Sequence, residues 1–194
     1  MLASSLDGEH DPRSSHTLRS LCRGNRPIGD QAMKFLLRLS VPLILLDQLT
    51  KWLIQKNIPY GSEIPIIPGF FSLVHVSNTG AAFSLLQGNN LFFIVLGALA
   101  LAVVFFLLMR NQWETEPSRR LHWTTTVSFA LLAAGILGNL IDRLVKGSVV
   151  DFLHFYIREY AWPSFNVADS CICIAAGLLI LSSFRKQRPV TENL

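Results

Sequence analysis

The run LFFIVLGALALAVVFFLLM, from Leu91 to Met109, contains no charged side chain. Its length approaches the ~20 residues that cross the hydrocarbon core of a bilayer as a helix. A second run, from Trp123 to Ile141, is equally free of charge. The two runs predict membrane-spanning helices, and therefore an all-α integral membrane protein.

Two further segments are apolar enough to span a bilayer, although each is interrupted. One is Ser170 to Phe184, which becomes long enough if it begins near Asn166; the other, Phe35 to Ile54, carries charged residues. The sequence thus predicts four transmembrane helices, at about residues 35–54, 90–110, 122–143 and 166–184.

Composition and charge distribution agree with a membrane location and indicate an orientation. Of the 194 residues, 51% are apolar and 15% are charged, which is too little charge for an ordinary soluble domain. Lys and Arg cluster before the first span, between the second and third, and after the fourth, and short loops rich in these residues stay in the cytoplasm. We therefore expect both termini on the cytoplasmic side of the membrane. The loop after span three is less clear, because Arg143, Lys146 and Arg158 lie there among acidic residues.

The net charge of +4 is explained by these flanking residues, which meet anionic lipid head groups. We give nucleic-acid binding little weight. Residues 1–32 are polar and predict a disordered cytoplasmic extension, with Met33 as an alternative start. The four-span domain is expected over residues 33–188, and a cytoplasmic tail over residues 189–194.

The loop between the first two spans predicts strands. Ile64 to Gly69 is bounded by turn formers, and Phe71 to Val76 alternates apolar and polar residues. We therefore expect a small sheet outside the bilayer, which rests on the membrane surface or covers a site.

Polar residues within the spans are candidates for function. Asp47 and Lys51 are four residues apart in the order that favours a helical ion pair, and we favour a structural role for them. Gly135, Asn139 and Asp142 share one face of the third span, and Arg143 follows. This cluster indicates a lined site, although each residue alone is equally well explained by helix packing or an interfacial ion pair.

Two acids lie near the outer ends of spans three and four. Asp151 falls in an apolar stretch, where burial should raise its pKa. Asp169 lies three residues after Asn166, which is also the spacing of a helix capping box. If the two carboxyl groups meet, they share a proton, so that one activates water while the other polarises a carbonyl group. That is the chemistry of an aspartyl protease.

Other chemistry is less well supported. Cys22, Cys171 and Cys173 form no even framework, and the three histidines at positions 75, 122 and 154 lack the spacing of a zinc site. The residues therefore predict no zinc site. A proton-coupled transporter would place its acids in mid-span, and a non-catalytic scaffold would use the charged pairs for packing.

Five blocks of this sequence resemble the lipoprotein signal peptidases (signal peptidase II), over about Phe35 to Arg185. The blocks are Asp47–Lys51 (DQLTK), Asn78–Phe83 (NTGAAF), Gly138–Arg143 (GNLIDR), Val149–Phe152 (VVDF) and Phe165–Ser170 (FNVADS). Departures are small: Thr50 replaces a common Ser, Val167 replaces a common Leu, and residues 1–32 have no counterpart.

The resemblance implies a four-span aspartic endopeptidase of the bacterial inner membrane, with a small periplasmic sheet and a short periplasmic helix. It implies no metal and no organic cofactor. It implies that Asp151 and Asp169 are catalytic, and that Asp47 and Lys51 support the fold. The substrates implied are diacylglyceryl-modified prolipoproteins, cut before the lipidated cysteine, and we expect the enzyme to act as a monomer among membrane lipids. The residues implied to line the site or hold substrate are Asn78, Gly135, Asn139, Asp142, Arg143 and Asn166.

Overall fold

Four long helices and a small sheet form the part of the chain that the computed structural model describes, residues 28–80, 87–113 and 122–184. The elements in chain order are α1 (Ile28–Asn57), β1 (Glu63–Ile67), β2 (Phe71–Asn78), α2 (Asn90–Trp113), α3 (Trp123–Lys146), β3 (Val149–Ile157), β4 (Tyr160–Ala161) and α4 (Val167–Ser183).

Two of these helices, α2 and α3, are long and apolar enough to cross a membrane by length and composition. Many large apolar side chains of α2 are exposed, including Leu91, Leu99 and Phe106. A water-facing surface rarely carries so much contiguous apolar area, so α2 has the surface of a lipid-facing helix. Helix α4 is apolar but only 17 residues long. Helix α1 has 30 residues and contains Pro42 along with its charged residues.

The all-α expectation is wrong, because the chain also forms a four-stranded antiparallel sheet in the order β1-β2-β3-β4. The predicted strands after Pro59 are confirmed as the β1–β2 hairpin, whose turn contains Gly69 at φ +80°. Strand β3 was not predicted as a strand. It pairs with β2, so that Val76 lies opposite Asp151.

The segment after β4 returns along β3. Phe165 forms an isolated antiparallel bridge with Leu153, and its carbonyl oxygen accepts hydrogen bonds from the N–H groups of Phe152 and Leu153. Trp162 N–H donates to the carbonyl of Phe155 at 2.8 Å. This return brings the start of α4 next to the start of β3.

Helix α3 packs against all three other helices, most extensively against α4. The contact with α4 is close because Gly135 faces it: a Cβ there would collide with the carbonyl oxygen of Ala168 and lie 2.6 Å from Ile172 Cγ1. Between α3 and α1, the Ser40 hydroxyl donates to the carbonyl of Ala130 at 2.8 Å.

Several predicted segments lie partly or wholly outside the described residues. Helix α1 begins at Ile28, within the predicted extension, and residues 1–27 and 185–194 are not described. The same holds for residues 81–86, which include part of the Asn78–Phe83 block, and for the 114–121 loop. No short separate helix occurs among the described elements.

Candidate active site

Asp151 and Asp169 line one cavity of about 630 Å³. Asp151 lies on β3 and is 2% exposed, and Asp169 lies in the first turn of α4. The alternation of β3 turns Val150 and Phe152 into an apolar cluster with Ile54, so that Asp151 projects from the opposite face. Two acids from different elements thus share one cavity.

Asn166 connects the two carboxyl groups. Its side-chain amide donates to Asp151 Oδ1 at 2.7 Å, and its backbone N–H donates to Asp169 Oδ2 at 3.2 Å. In return, Asn166 Oδ1 accepts from the Asp169 N–H at 2.9 Å. The predicted capping box is therefore present, and it coexists with the contact to Asp151.

Asn139 on α3 supports the other side of Asp169. Its amide donates to Asp169 Oδ1 at 2.7 Å, and its carbonyl oxygen accepts from Lys51 Nζ at 3.0 Å. Asn78 plays a similar part for Asp151: its amide donates to Asp151 Oδ2 at 3.0 Å, while its oxygen accepts from the Gly80 N–H at 2.9 Å.

Electrostatics favour a retained proton on Asp151. Burial, and then the nearby charge of Asp169, raise the pKa of Asp151 to about 7 from an ordinary value of 3.8. Hydrogen bonds from Asn78 and Asn166 act in the opposite direction. A carboxyl group with a pKa near neutrality can exchange a proton at working pH, as a general acid or base must.

Arg143 also lines the cavity. Its Nη2 donates to the Gly80 carbonyl at 2.7 Å, and its guanidinium carbon lies 4.3 Å from the ring centre of Phe93. Asn90 accepts from Nη1 at 3.4 Å and donates to the Arg143 carbonyl at 3.0 Å. Arg143 therefore ties the loop after β2 to the start of α2.

A buried charge cluster is connected to Asp169 through Asn139. Lys51 Nζ is 2.8 Å from Asp47 Oδ2 and 2.8 Å from Asp142 Oδ2, and all three side chains are at most 1% exposed. Lys146 reaches Asp142 Oδ1 at 3.0 Å from a partly exposed position. Asp47 Oδ1 also accepts from the Ala168 N–H at 2.9 Å, which anchors the start of α4.

The residues predicted to line the site or hold substrate, together with the two acids, thus occupy four different places. Five of them line the cavity: Asn78, Asn139, Arg143, Asp151 and Asp169. Asn166 donates hydrogen bonds to both acids. Asp142 pairs with Lys51 and Lys146, and Gly135 lies in the contact between α3 and α4.

Other contributors were missed from the sequence. Gly138 lets α1 approach, because a Cβ there would lie 2.6 Å from Asp47 Oδ2. Gln48 donates to the Gly138 carbonyl at 3.1 Å. Both lie inside the blocks that carry the family resemblance, so the blocks themselves could have pointed to them. The apolar wall, formed by Phe93, Trp162, Ile172 and Ile174 among others, carried no such pattern.

Within the described residues, no group of three or more His, Cys, Asp or Glu side chains is placed to hold a metal ion. Fold and site together define a helical membrane protein with two carboxyl groups in one cavity.

A family model described as signal peptidase (SPase) II matches residues 39–185. A lipoprotein signal peptidase of Symbiobacterium thermophilum is 46% identical over 143 residues, 74% of this chain and 90% of that protein. One of Ralstonia nicotianae is 44% identical over 174 residues, 88% and 95% of the two chains. A solved structure described as a bacterial membrane enzyme superposes with a TM-score of 0.72 at 29% identity, covering 83% of this chain and 94% of that one. The chain belongs to the signal peptidase II family, and it is a bacterial membrane peptidase.

Proposed function

We propose that this chain removes signal peptides from lipoproteins as an aspartic endopeptidase, with Asp151 and Asp169 as its catalytic pair. The observation that carries the proposal is the shared cavity of the two acids, with Asn166 hydrogen-bonded to both. Membership of the signal peptidase II family supplies the reaction class.

The pair works with a single shared proton. The ionised acid takes a proton from a water molecule, which attacks the scissile carbonyl carbon, while the protonated acid donates to the carbonyl oxygen. The proton taken from water then passes to the nitrogen of the departing amine as the peptide bond breaks. Four N–H groups stabilise negative charge on the pair, from the side chains of Asn78, Asn139 and Asn166 and the backbone of Asn166.

The cavity suits a lipid-modified peptide. Its wall is mainly apolar, and its polar side chains are those of the two acids, two asparagines, two serines and Arg143. Apolar walls accept acyl chains, and a few polar groups fix the peptide backbone. We therefore propose diacylglyceryl-modified prolipoproteins as substrates, cut on the N-terminal side of the lipidated cysteine.

We further propose that α1 and α4 span the bilayer together with α2 and α3. Asp47 and Lys51 are neutralised inside the protein, which makes α1 compatible with a membrane interior. The four-span domain then covers residues 33–188, both termini are cytoplasmic, and the acids lie toward the outer face.

Replacing each acid tests the proposal. Asp151→Asn and Asp169→Asn should each abolish cleavage of a lipidated prolipoprotein, seen as accumulated precursor on a gel, while the protein remains folded. Glu63→Gln is the matched control, because Glu63 is a half-exposed acid paired with His154 on the outer sheet, away from the cavity. Full cleavage by either Asp variant would overturn the assignment. If the unmutated protein is folded but processes no lipidated prolipoprotein, a non-catalytic scaffold is favoured instead.

A further inference from the structure

Lys51 is the most deeply buried cation among the described residues, with no exposed surface. An ammonium group has three N–H donors and no acceptor. Its Nζ donates a hydrogen bond to Asn139 Oδ1 at 3.0 Å and forms ion pairs with Asp47 Oδ2 and Asp142 Oδ2, each at 2.8 Å. The two ion pairs neutralise charge. The hydrogen bond goes to the neutral amide of Asn139, which in turn donates to Asp169.

The third contact fixes which way the Asn139 amide points. Because Lys51 can only donate, the atom that faces it must be the carbonyl oxygen. The amide nitrogen therefore faces Asp169 Oδ1, to which it donates at 2.7 Å. Asn166 Nδ2 also reaches Asn139 Oδ1, but at 3.3 Å, and its shorter bond is to Asp151.

The amide orientation is coupled to the proton of Asp169. With the nitrogen toward Asp169, the carboxyl oxygen accepts, as an ionised acid does. If the amide were reversed, its carbonyl oxygen would face Asp169 Oδ1, and the contact would be favourable only if that oxygen carried a proton. The reversed amide would also press its N–H groups against the Lys51 ammonium, so Lys51 excludes this state.

We infer that Lys51 is a positioning residue of the catalytic pair: through the Asn139 amide, it keeps Asp169 the ionised member, the one that activates water. This role rests on the proposed function and adds to the structural support expected for Lys51. Lys51 does not line the cavity, so it acts on the chemical step and not on substrate binding.

The other charged groups around Asp169 do not supply this control. They are Asp47 on α1, Asp142 and Arg143 on α3, and Asp151 on β3. The carboxyl groups of Asp47 and Asp142 form ion pairs with Lys51, and they do not orient the amide of Asn139. Arg143 is held by Gly80, Asn90 and Phe93.

The test compares two lysines that bind the same acid. Lys51→Met alone would leave two buried carboxylates unopposed, so each lysine is replaced in an Asp142→Asn background, which lowers the uncompensated charge. Lys146 is the matched control, because it also binds Asp142 but does not touch Asn139. The readouts are kcat, KM and the pH profile for a lipidated prolipoprotein, with thermal unfolding of the purified protein in detergent.

Relative to Asp142→Asn, adding Lys51→Met should lower kcat at least about tenfold and move the acid limb of the profile to higher pH, with KM changed less than about twofold. Adding Lys146→Met should move neither. Equal kcat and equal acid limbs in the two double variants would overturn the inference.

A second variant decides the question if the Lys51 variants do not fold. Asn139→Leu keeps the two ion pairs of Lys51 but removes the amide, so it should also move the acid limb upward; an unchanged limb would refute the inference. If the variants fold, Lys51→Met should cause little further change in kcat or in the acid limb when Asn139 is already Leu, because both substitutions break the same hydrogen-bond link. If Asp169→Asn still cleaves substrate, the proposed function fails; if it is inactive while the limbs stay put, only the role of Lys51 fails.

Discussion

The side-chain amide of Asn166 donates to Asp151 Oδ1 at 2.7 Å although the two residues are fifteen positions apart. The same residue caps α4 through the Asp169 N–H. One residue thus caps a helix with its side chain and donates hydrogen bonds to two acids, to Asp151 from its side chain and to Asp169 from its backbone N–H. These two tasks can be separated by mutation.

Asn166→Ser should keep the cap and lose the bridge, because serine caps helices nearly as well as asparagine but is too short to reach Asp151. We expect a melting temperature close to that of the parent and a fall in kcat of about 100-fold. Asn166→Ala should lose both, with about 1 kcal/mol less stability at the helix terminus. Thermal unfolding and cleavage rates measure the two effects. Parental activity in the Ser variant would show that the bridge is dispensable.

The pH dependence of cleavage should report the proton on Asp151. With its pKa raised to about 7 by burial and by Asp169, activity should fall on the alkaline side as that proton is lost. The hydrogen bond from Asn78 favours the ionised form, so Asn78→Ala should raise the pKa and move the alkaline limb to higher pH. Ser77→Ala is the control, because Ser77 bonds to Ser148 and not to Asp151. A limb that stays or moves down contradicts this account.

Stability should also depend on this proton. Between 3.8 and about 7, Asp151 is protonated in the folded state and ionised in the unfolded chain. The folded state binds more protons there, so the free energy of unfolding falls as pH rises across this window. Asp151→Asn should flatten that part of the slope. Unfolding measured from pH 4 to pH 8 compares the two proteins, and parallel curves would exclude Asp151 as the source.

Local patterns in the sequence predicted much of this arrangement. The apolar runs around Leu91 and Trp123 predicted α2 and α3, and alternation predicted the β1–β2 hairpin. The clustering of Lys and Arg in alternate loops predicted a topology in which Asp151 and Asp169 lie on the same side of the membrane. In the structure they line one cavity, while their catalytic role stays a prediction.

The remaining features depend on contacts between distant residues. Asp47 and Lys51 read as a local helical pair, but Lys51 also bonds to Asn139, 88 residues away. Likewise, β3 was not expected as a strand, because its pairing depends on β2 and on the return at Phe165. Helical spacing can place residues on one face, but it cannot say which neighbour that face meets.

Fusion reporters test the four-span arrangement. A fluorescent protein that matures only in the cytoplasm, fused after Leu194, should be bright, and a phosphatase active only outside should be inactive there. The same phosphatase inserted at Gly69, in the β1–β2 turn, should be active. The reverse pattern would mean that the inside-positive loops do not set this topology.

Gly135→Ala should separate α3 from α4. An added Cβ would collide with the Ala168 carbonyl oxygen and lie 2.6 Å from Ile172 Cγ1, and backbone cannot yield as a side-chain tip does. We expect a loss of about 1–3 kcal/mol from overpacking. Activity should fall further than stability alone explains, because Asn139 on α3 would be moved from Asp169 on α4. Gly177→Ala on α4 is the matched control, since a Cβ added there would meet no atom within 4 Å and alanine favours helix. Equal melting temperatures and rates for the two variants would show that the Gly135 contact can relax without cost to the site.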